Sequence, residues 1–193
     1  MTLQEWAALD EDVEGELVDG MLEGEELSTF LHELVVDVDS RRPSYLGTPL
    51  PRLRRGSATK LAVGPRRGRK PDLALFLPHA LPALSDELIR VPPHLVVEVA
   101  SPRPRDVHRD RVDKLTDYAR AGIRLYAIVD PQPRSLEVYE LGRDGRYAVA
   151  CATGRGRVRV PGCPGLVLNL DALWKEVDEA ERAHARGARR RRW

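Results

Sequence analysis

Three side chains in the middle of the sequence have the types and spacing that metal-assisted phosphodiester chemistry needs. Asp72 begins an apolar run over residues 73–77, Glu98 lies near the end of a second run over 95–99, and Lys114 follows in a charged segment. An acidic residue inside a buried strand is unfavourable unless it is paired or binds a metal. Two carboxylates suit Mg²⁺ or Mn²⁺, which activates water and phosphate, and a lysine helps to position the nucleophile.

The elements that position these residues follow from run length and periodicity. Short runs rich in Val and Leu predict strands buried on both faces, at residues 73–77, 95–99 and 125–129. The segment 109–121 has helical periodicity, and its predicted buried face holds Val112, Leu115 and Ala119. The order strand, strand, helix, strand predicts an α/β domain with a mixed, curved central sheet flanked by helices.

A purely structural explanation of the same residues stays open. Pro-Asp is a common turn pair, so Asp72 could simply cap the entry to its strand. Glu98 could form a structural ion pair with Lys114 or an arginine, without any metal.

Six segments, taken in order, resemble the Uma-type putative restriction endonuclease family within the PD-(D/E)xK nuclease superfamily. They are residues 15–20, 69–72, 97–102, 110–114, 118–122 and 129–131. The resemblance implies a restriction-endonuclease-like fold, a divalent metal such as Mg²⁺ or Mn²⁺, and DNA as the substrate. Carried over by position, it implies that Asp72 and Glu98 are metal ligands and that Lys114 is the catalytic lysine.

One position departs from the superfamily's linear motif. There the lysine lies two residues after the second carboxylate, on the same face of the strand. In this sequence that position is Ala100, and Lys114 on the following helix resembles a migrated substitute. We therefore predict that the Lys114 amine lies within about 4–6 Å of Asp72 or Glu98, the range over which opposite charges perturb each other.

The net charge of +1 conceals a strong asymmetry along the chain. Residues 1–40 contain thirteen Asp and Glu and no Lys or Arg, whereas residues 41–70 contain ten Lys and Arg and no acid. A predicted hairpin turn beside Asp72 would carry a phosphate-binding rim of Arg66, Arg67, Arg69 and Lys70. A solvated turn that balances the acidic block is an equally weighted alternative.

The first forty residues predict a capped helix, a hairpin and a longer helix. Thr2 and Glu5 form a capping box, and an Asp-Gly pair joins short strands at residues 16–18 and 21–23. Glu16 could be a third ligand, but an exposed strand carboxylate is the favoured interpretation. His32, on a predicted helix capped by Ser28 or Thr29, could reach the site rim, although a surface histidine is favoured.

The remaining sequence predicts one domain over residues 1–180, completed by antiparallel hairpins and a last helix. An arginine-rich tail over 181–193 is predicted to be disordered. No apolar run approaches the roughly 20 residues of a membrane helix, and no basic secretory leader is recognisable. Two cysteines, Cys151 and Cys163, make neither a disulfide framework nor a metal cluster, so we expect a cytoplasmic protein with no membrane partner.

Together these features predict a Mg²⁺-dependent endonuclease acting on DNA. The alternative is a catalytically inactive module that keeps the nuclease fold and binds nucleic acid or another protein. The protein-interaction version would pair the basic stretch of one subunit with the acidic block of another, so a homodimer also stays open.

Overall fold

Three strands at the centre of the protein follow the apolar runs of its sequence. A computed structural model describes residues 1–10, 13–24, 54–56, 59–83, 85–101, 108–163 and 165–190. Within these ranges the strands are β1 Glu16–Val18, β2 Met21–Glu23, β3 Arg54–Gly56, β4 Leu61–Gly64, β5 Arg67–Arg69, β6 Leu73–Phe76, β7 Leu95–Val99, β8 Leu125–Asp130, β9 Ser135–Leu141, β10 Tyr147–Thr153, β11 Arg157–Arg159 and β12 Val167–Asn169. The predicted strands of the central region are therefore confirmed, with small changes at their ends.

Helices occupy both ends and the centre of the described chain. They are α1 Leu3–Ala7, α2 Leu115–Arg120 and α3 Leu170–Arg190. A π-helix over Arg109–Lys114 continues directly into α2, and we call the combined element, residues 109–120, the site helix. The predicted capping box is confirmed, because the Thr2 hydroxyl accepts from the Glu5 backbone and the Glu5 carboxylate accepts from the Thr2 backbone.

The central sheet has the strand order β10-β9-β8-β7-β6-β3. Strands β7 and β8 are parallel and the other neighbouring pairs are antiparallel. A parallel pair needs a crossover connection, and the site helix lies in the connection between β7 and β8. The prediction of an α/β fold with a mixed sheet, flanking helices and antiparallel hairpins is confirmed.

A smaller sheet, with the order β2-β1-β5-β4, carries the N-terminal hairpin. Asp19 and Gly20 both have positive φ, 51° and 83°, as a two-residue type I′ turn between β1 and β2 requires. Strand β5 passes directly under α1: a Cβ added at Gly68 would lie 2.2 Å from the Trp6 ring. This sheet brings Glu16 and Arg69 next to the site helix.

Two apolar cores lie on opposite faces of the central sheet. One contains Leu95 and Ala127 with Trp174 of α3. The other contains Val96 of the sheet with Tyr118 of the site helix. Successive strand residues point to opposite faces, so Glu98 shares the face of Val96 and lies under the site helix.

Two further sequence predictions concern the C-terminal tail and His32. Helix α3 continues to Arg190, through most of the segment that the sequence predicts to be disordered. His32, with the helix predicted around it, lies outside the described residues.

Across the described ranges, no helix combines the length and the apolar character that crossing a membrane requires.

Candidate active site

Asp72 and Glu98 lie at the same edge of the central sheet. Glu98 is the fourth residue of β7, and Asp72 immediately precedes β6. The register pairs Leu73 with Val97, so its continuation places Asp72 opposite Glu98. The Asp72 carboxylate accepts a hydrogen bond of 2.6 Å from the backbone N–H of Val99, which fixes it at the end of the neighbouring strand.

Lys114 reaches this edge from the last residue of the π-helix. Its Nζ lies 2.9 Å from Oε2 of Glu98, 3.4 Å from Oδ1 of Asp110 and 3.8 Å from Oε1 of Glu16. The predicted proximity of Lys114 to a motif carboxylate is therefore confirmed, while its catalytic role stays a prediction. Ala100, at the position of the linear-motif lysine, is buried in the core on the same face.

The site helix buries a polar stripe, which corrects the face predicted from its apolar residues. Val112 is 46% exposed, and Leu115 and Ala119 are only half-buried. The buried residues follow helical spacing and are Asp110, Lys114, Asp117 and Tyr118. The apolar periodicity predicted the wrong face because the surface under this helix presents charged partners, Glu98 from the central sheet and Arg69 from strand β5.

Glu16 is buried, contrary to the expectation of an exposed strand carboxylate. It is 2% exposed and lies 2.7 Å from the guanidinium of Arg69, which also binds Asp117 at 2.6 Å. The backbone N–H of Lys70 donates to Glu16 at 3.0 Å. Burial opposes ionisation of Glu16, but the charges of Lys114 and Arg69 hold its pKa below the usual value.

The four basic residues of the predicted rim have different surroundings. Arg69 is 1% exposed and lies inside the ion-pair network rather than on a rim. Lys70 is also buried and donates to a backbone carbonyl. Arg67 lies 2.7 Å from Asp19 and also contacts the site helix, so it is only partly accessible. Arg66 is the exposed member, and it donates to the carbonyl of Asp19.

Sequence reasoning missed the roles of Glu16 and Arg69, and a signal for them was present. In the sequence an acidic block is followed by a basic block, and Glu16 lies in the first and Arg69 in the second. For Glu16 and Arg69, the acidic and basic partners lie in one chain. Asp117 and Tyr118 carried no comparable signal, because nothing local distinguishes a buried polar helix residue from an exposed one.

Glu98 is held in a strongly acidic and desolvated environment. Burial raises its pKa well above the usual value, although Lys114 opposes this shift and the nearby charge of Asp72 adds to it. Burial also raises the pKa of Asp110. The hydroxyl of Tyr118 donates to Oε1 of Glu98, and burial raises the pKa of this hydroxyl, so it stays a donor. The cluster would be stabilised by additional positive charge.

The donor chemistry of this edge fits a hard divalent cation. Mg²⁺ is commonly bound through one or two carboxylates, with water and substrate phosphate completing the shell, and Asp72 and Glu98 supply such a pair. In the ranges that the structure describes, no three His, Cys, Asp or Glu side chains form a metal-binding group by themselves. A metal held by Asp72 and Glu98 would complete its shell with other oxygen ligands, such as backbone carbonyls, water or substrate phosphate.

Comparisons with known proteins show the family of the chain and a similar fold. The family model described as Uma2, putative restriction endonuclease, matches residues 2–171. The fold is similar to that of a crystal structure of a putative nuclease belonging to DUF820 from Anabaena variabilis, with a TM-score of 0.69 at 18% sequence identity. That similarity covers 91% of this chain and 98% of the other. No curated protein matches the chain.

Proposed function

The chain belongs to the Uma2 family of putative restriction endonucleases, and from this premise we propose that it is an endonuclease that hydrolyses DNA phosphodiesters with Mg²⁺ or Mn²⁺. One observation carries the proposal. Asp72 directly precedes β6 and Glu98 lies near the end of the neighbouring strand β7, so both are at one sheet edge, and the Lys114 amine lies 2.9 Å from Glu98. Such a set of two carboxylates and a cation is what metal-assisted phosphoryl chemistry needs.

The two carboxylates would hold the metal, and the protein scaffold orients both. Asp72 is held by the backbone N–H of Val99, and Glu98 is held by Tyr118 and Lys114. When bound, the metal would supply Lewis-acid activation of the phosphate and of an attacking water. The strand backbone keeps the carboxylates in position, so little reorganisation is needed when the substrate binds.

Lys114 would act as a fixed positive charge. Burial opposes its charge, but the carboxylates of Glu16, Glu98 and Asp110 raise the pKa of Lys114 above the usual value. An amine that stays protonated cannot accept a proton from water. We therefore assign Lys114 to orienting the attacking water and stabilising the negative charge that develops on the phosphate.

DNA would approach from the side of the turn between β4 and β5. Arg66 is exposed there and is the first candidate for a phosphate contact, with the partly accessible Arg67 beside it. Phosphate contacts position the duplex and carry no sequence information. The buried Arg69 and Lys70 would support this surface from within rather than touch the DNA.

Metal binding tests the proposal before any cleavage assay. Mn²⁺ at 100 times its Kd should stabilise the protein by about 2.7 kcal/mol, a rise in Tm of roughly 5–10 °C for a domain of this size. The double variant Asp72→Asn with Glu98→Gln should lose this rise and all cleavage of plasmid DNA. The control is Asp130→Asn, which changes a carboxylate at the end of the adjacent strand β8 and should keep both.

A full thermal shift in the double variant would place the metal elsewhere and contradict the proposal. Chelator-resistant cleavage by the wild-type protein would refute the metal requirement separately.

A second function is favoured by the completeness of the ion-pair cluster. Lys114 lies within 4 Å of three carboxylates, so the charges are already partly neutralised without any metal. A catalytically inactive nucleic-acid-binding or protein-interaction module could use the same cluster for stability alone. Such a module would bind DNA or a protein partner without metal-induced stabilisation and without cleavage.

A further inference from the structure

Both oxygens of the Glu98 carboxylate are held by one helix. Oε1 accepts a hydrogen bond from the hydroxyl of Tyr118, and Oε2 lies 2.9 Å from Nζ of Lys114. Tyr118 and Lys114 are four residues apart, so they lie on the same face of the site helix. A carboxylate held at both oxygens has one orientation, whereas a carboxylate held at one oxygen can rotate.

The surroundings of Tyr118 restrict its hydroxyl to one position. Its side chain is fully buried, and its ring packs edge-on against Tyr126, with centroids 5.1 Å apart and an interplanar angle of 61°. Its backbone carbonyl accepts from Ile123 at 3.1 Å, which fixes the C-terminal end of the site helix. The ring therefore has little freedom, and Glu98 receives the hydroxyl hydrogen bond.

We propose that Tyr118 is a positioning residue that holds Oε1 of Glu98, so that Oε2 is directed to the metal-binding edge beside Asp72 and Lys114. This inference rests on the proposed function. Groups that hydrogen-bond to metal ligands commonly contribute 10–100-fold to metal affinity or activity. Tyr118 would contribute in this way without touching the substrate.

A structural explanation competes with this one, because a buried hydroxyl needs a partner wherever it lies. Tyr147 provides the matched control. Its partly buried hydroxyl donates to the backbone carbonyl of Ile123 at 2.7 Å, so Tyr147→Phe removes a comparable hydrogen bond away from the carboxylates. Both variants keep the aromatic ring, so their effects on the core should be similar.

The test is isothermal titration of Mn²⁺ into the full chain of the wild type, Tyr118→Phe, Tyr147→Phe and Glu98→Gln. We expect Tyr118→Phe to weaken Mn²⁺ binding about tenfold or more, and Tyr147→Phe to leave it unchanged. Steady-state cleavage of a DNA substrate at saturating Mn²⁺ should show a lower kcat for Tyr118→Phe with little change in KM.

The outcomes separate this inference from the proposed function. Wild-type Mn²⁺ binding that Glu98→Gln weakens but Tyr118→Phe does not would overturn the positioning role alone. Equal losses of affinity in the two Tyr→Phe variants would show a general effect of the core and would also overturn it. No Mn²⁺ binding by the wild type, or binding indifferent to Glu98→Gln, would overturn the proposed function and this inference with it.

Discussion

Replacing Arg69 should reveal whether this arginine supports the fold or contacts DNA. Arg69 is 1% exposed, and its guanidinium bridges Glu16 at 2.7 Å and Asp117 at 2.6 Å. Arg69→Met removes the charge and leaves two buried carboxylates without it. Removal of one partner from a buried ion pair lowers the free energy of unfolding by about 3–5 kcal/mol. Asp117 keeps its contact with Arg67 and Glu16 keeps its contact with Lys114, so we expect the middle of this range, about 4 kcal/mol.

Urea unfolding followed by circular dichroism measures this loss. With an m-value of roughly 2 kcal/mol/M, a loss of 4 kcal/mol lowers the midpoint by about 2 M urea. The matched control is Arg124→Met, which breaks an exposed pair with Glu140 and should change the free energy of unfolding by only about 0.2–1 kcal/mol. Arg69→Lys, which keeps the charge without the planar fork, should fall between Arg69→Met and the wild type.

A free energy of unfolding for Arg69→Met within about 1 kcal/mol of the wild-type value, the range of an exposed pair, would contradict a structural role for Arg69. Weaker DNA binding together with unchanged stability would instead favour the phosphate-binding role that the sequence predicts for Arg69.

Three further changes test other parts of the structure. The folded pKa of Glu16 is lowered from 4.5, so its stabilising charge is complete above that pH and is lost as the pH falls through the folded value. The difference in unfolding free energy between wild type and Glu16→Gln should therefore be constant from pH 8 to 5 and shrink below pH 4.5. A difference that grows towards low pH would contradict this expectation. Gly68→Ala should lower the free energy of unfolding by about 1–3 kcal/mol, because its Cβ would lie 2.2 Å from the Trp6 ring. The control in the same urea assay is Gly64→Ala, whose Cβ would meet only an ordinary contact at 3.6 Å. Arg66→Ala should weaken binding to all DNA sequences alike and lower the slope of log K against log salt by about one; an unchanged slope would exclude a phosphate contact.

Local patterns predicted the strands and turns well. The runs 73–77, 95–99 and 125–129 became β6, β7 and β8, since short runs between turn signals have few other ways to bury their side chains. The Asp-Gly pair became the turn between β1 and β2 because both residues tolerate positive φ. These features depend on neighbours in sequence, so the sequence alone was sufficient.

The surroundings of the candidate site depended on distant partners and were predicted less well. Glu98 and Lys114 were identified because a charge is unusual in a buried strand and because the family resemblance aligned them. Glu16 and Arg69 are 53 positions apart and meet only when the small sheet docks on the site helix. Apolar periodicity ignores such pairs, so it assigned the wrong face to the helix. No local propensity marked the π-helical start of that helix.

The buried polar stripe of the site helix has a consequence for the history of the family. Replacing a buried ion-pair set by well-packed apolar residues is often neutral or stabilising by about 1–4 kcal/mol. A relative that had lost the proposed catalytic activity would therefore tend to acquire apolar residues at the positions of Asp110, Lys114 and Glu98. Single replacements would be eliminated on the way, because each leaves an unmatched buried charge. Loss of the cluster should thus occur as joint replacements, and relatives should divide into those with the whole charged set and those with an apolar one.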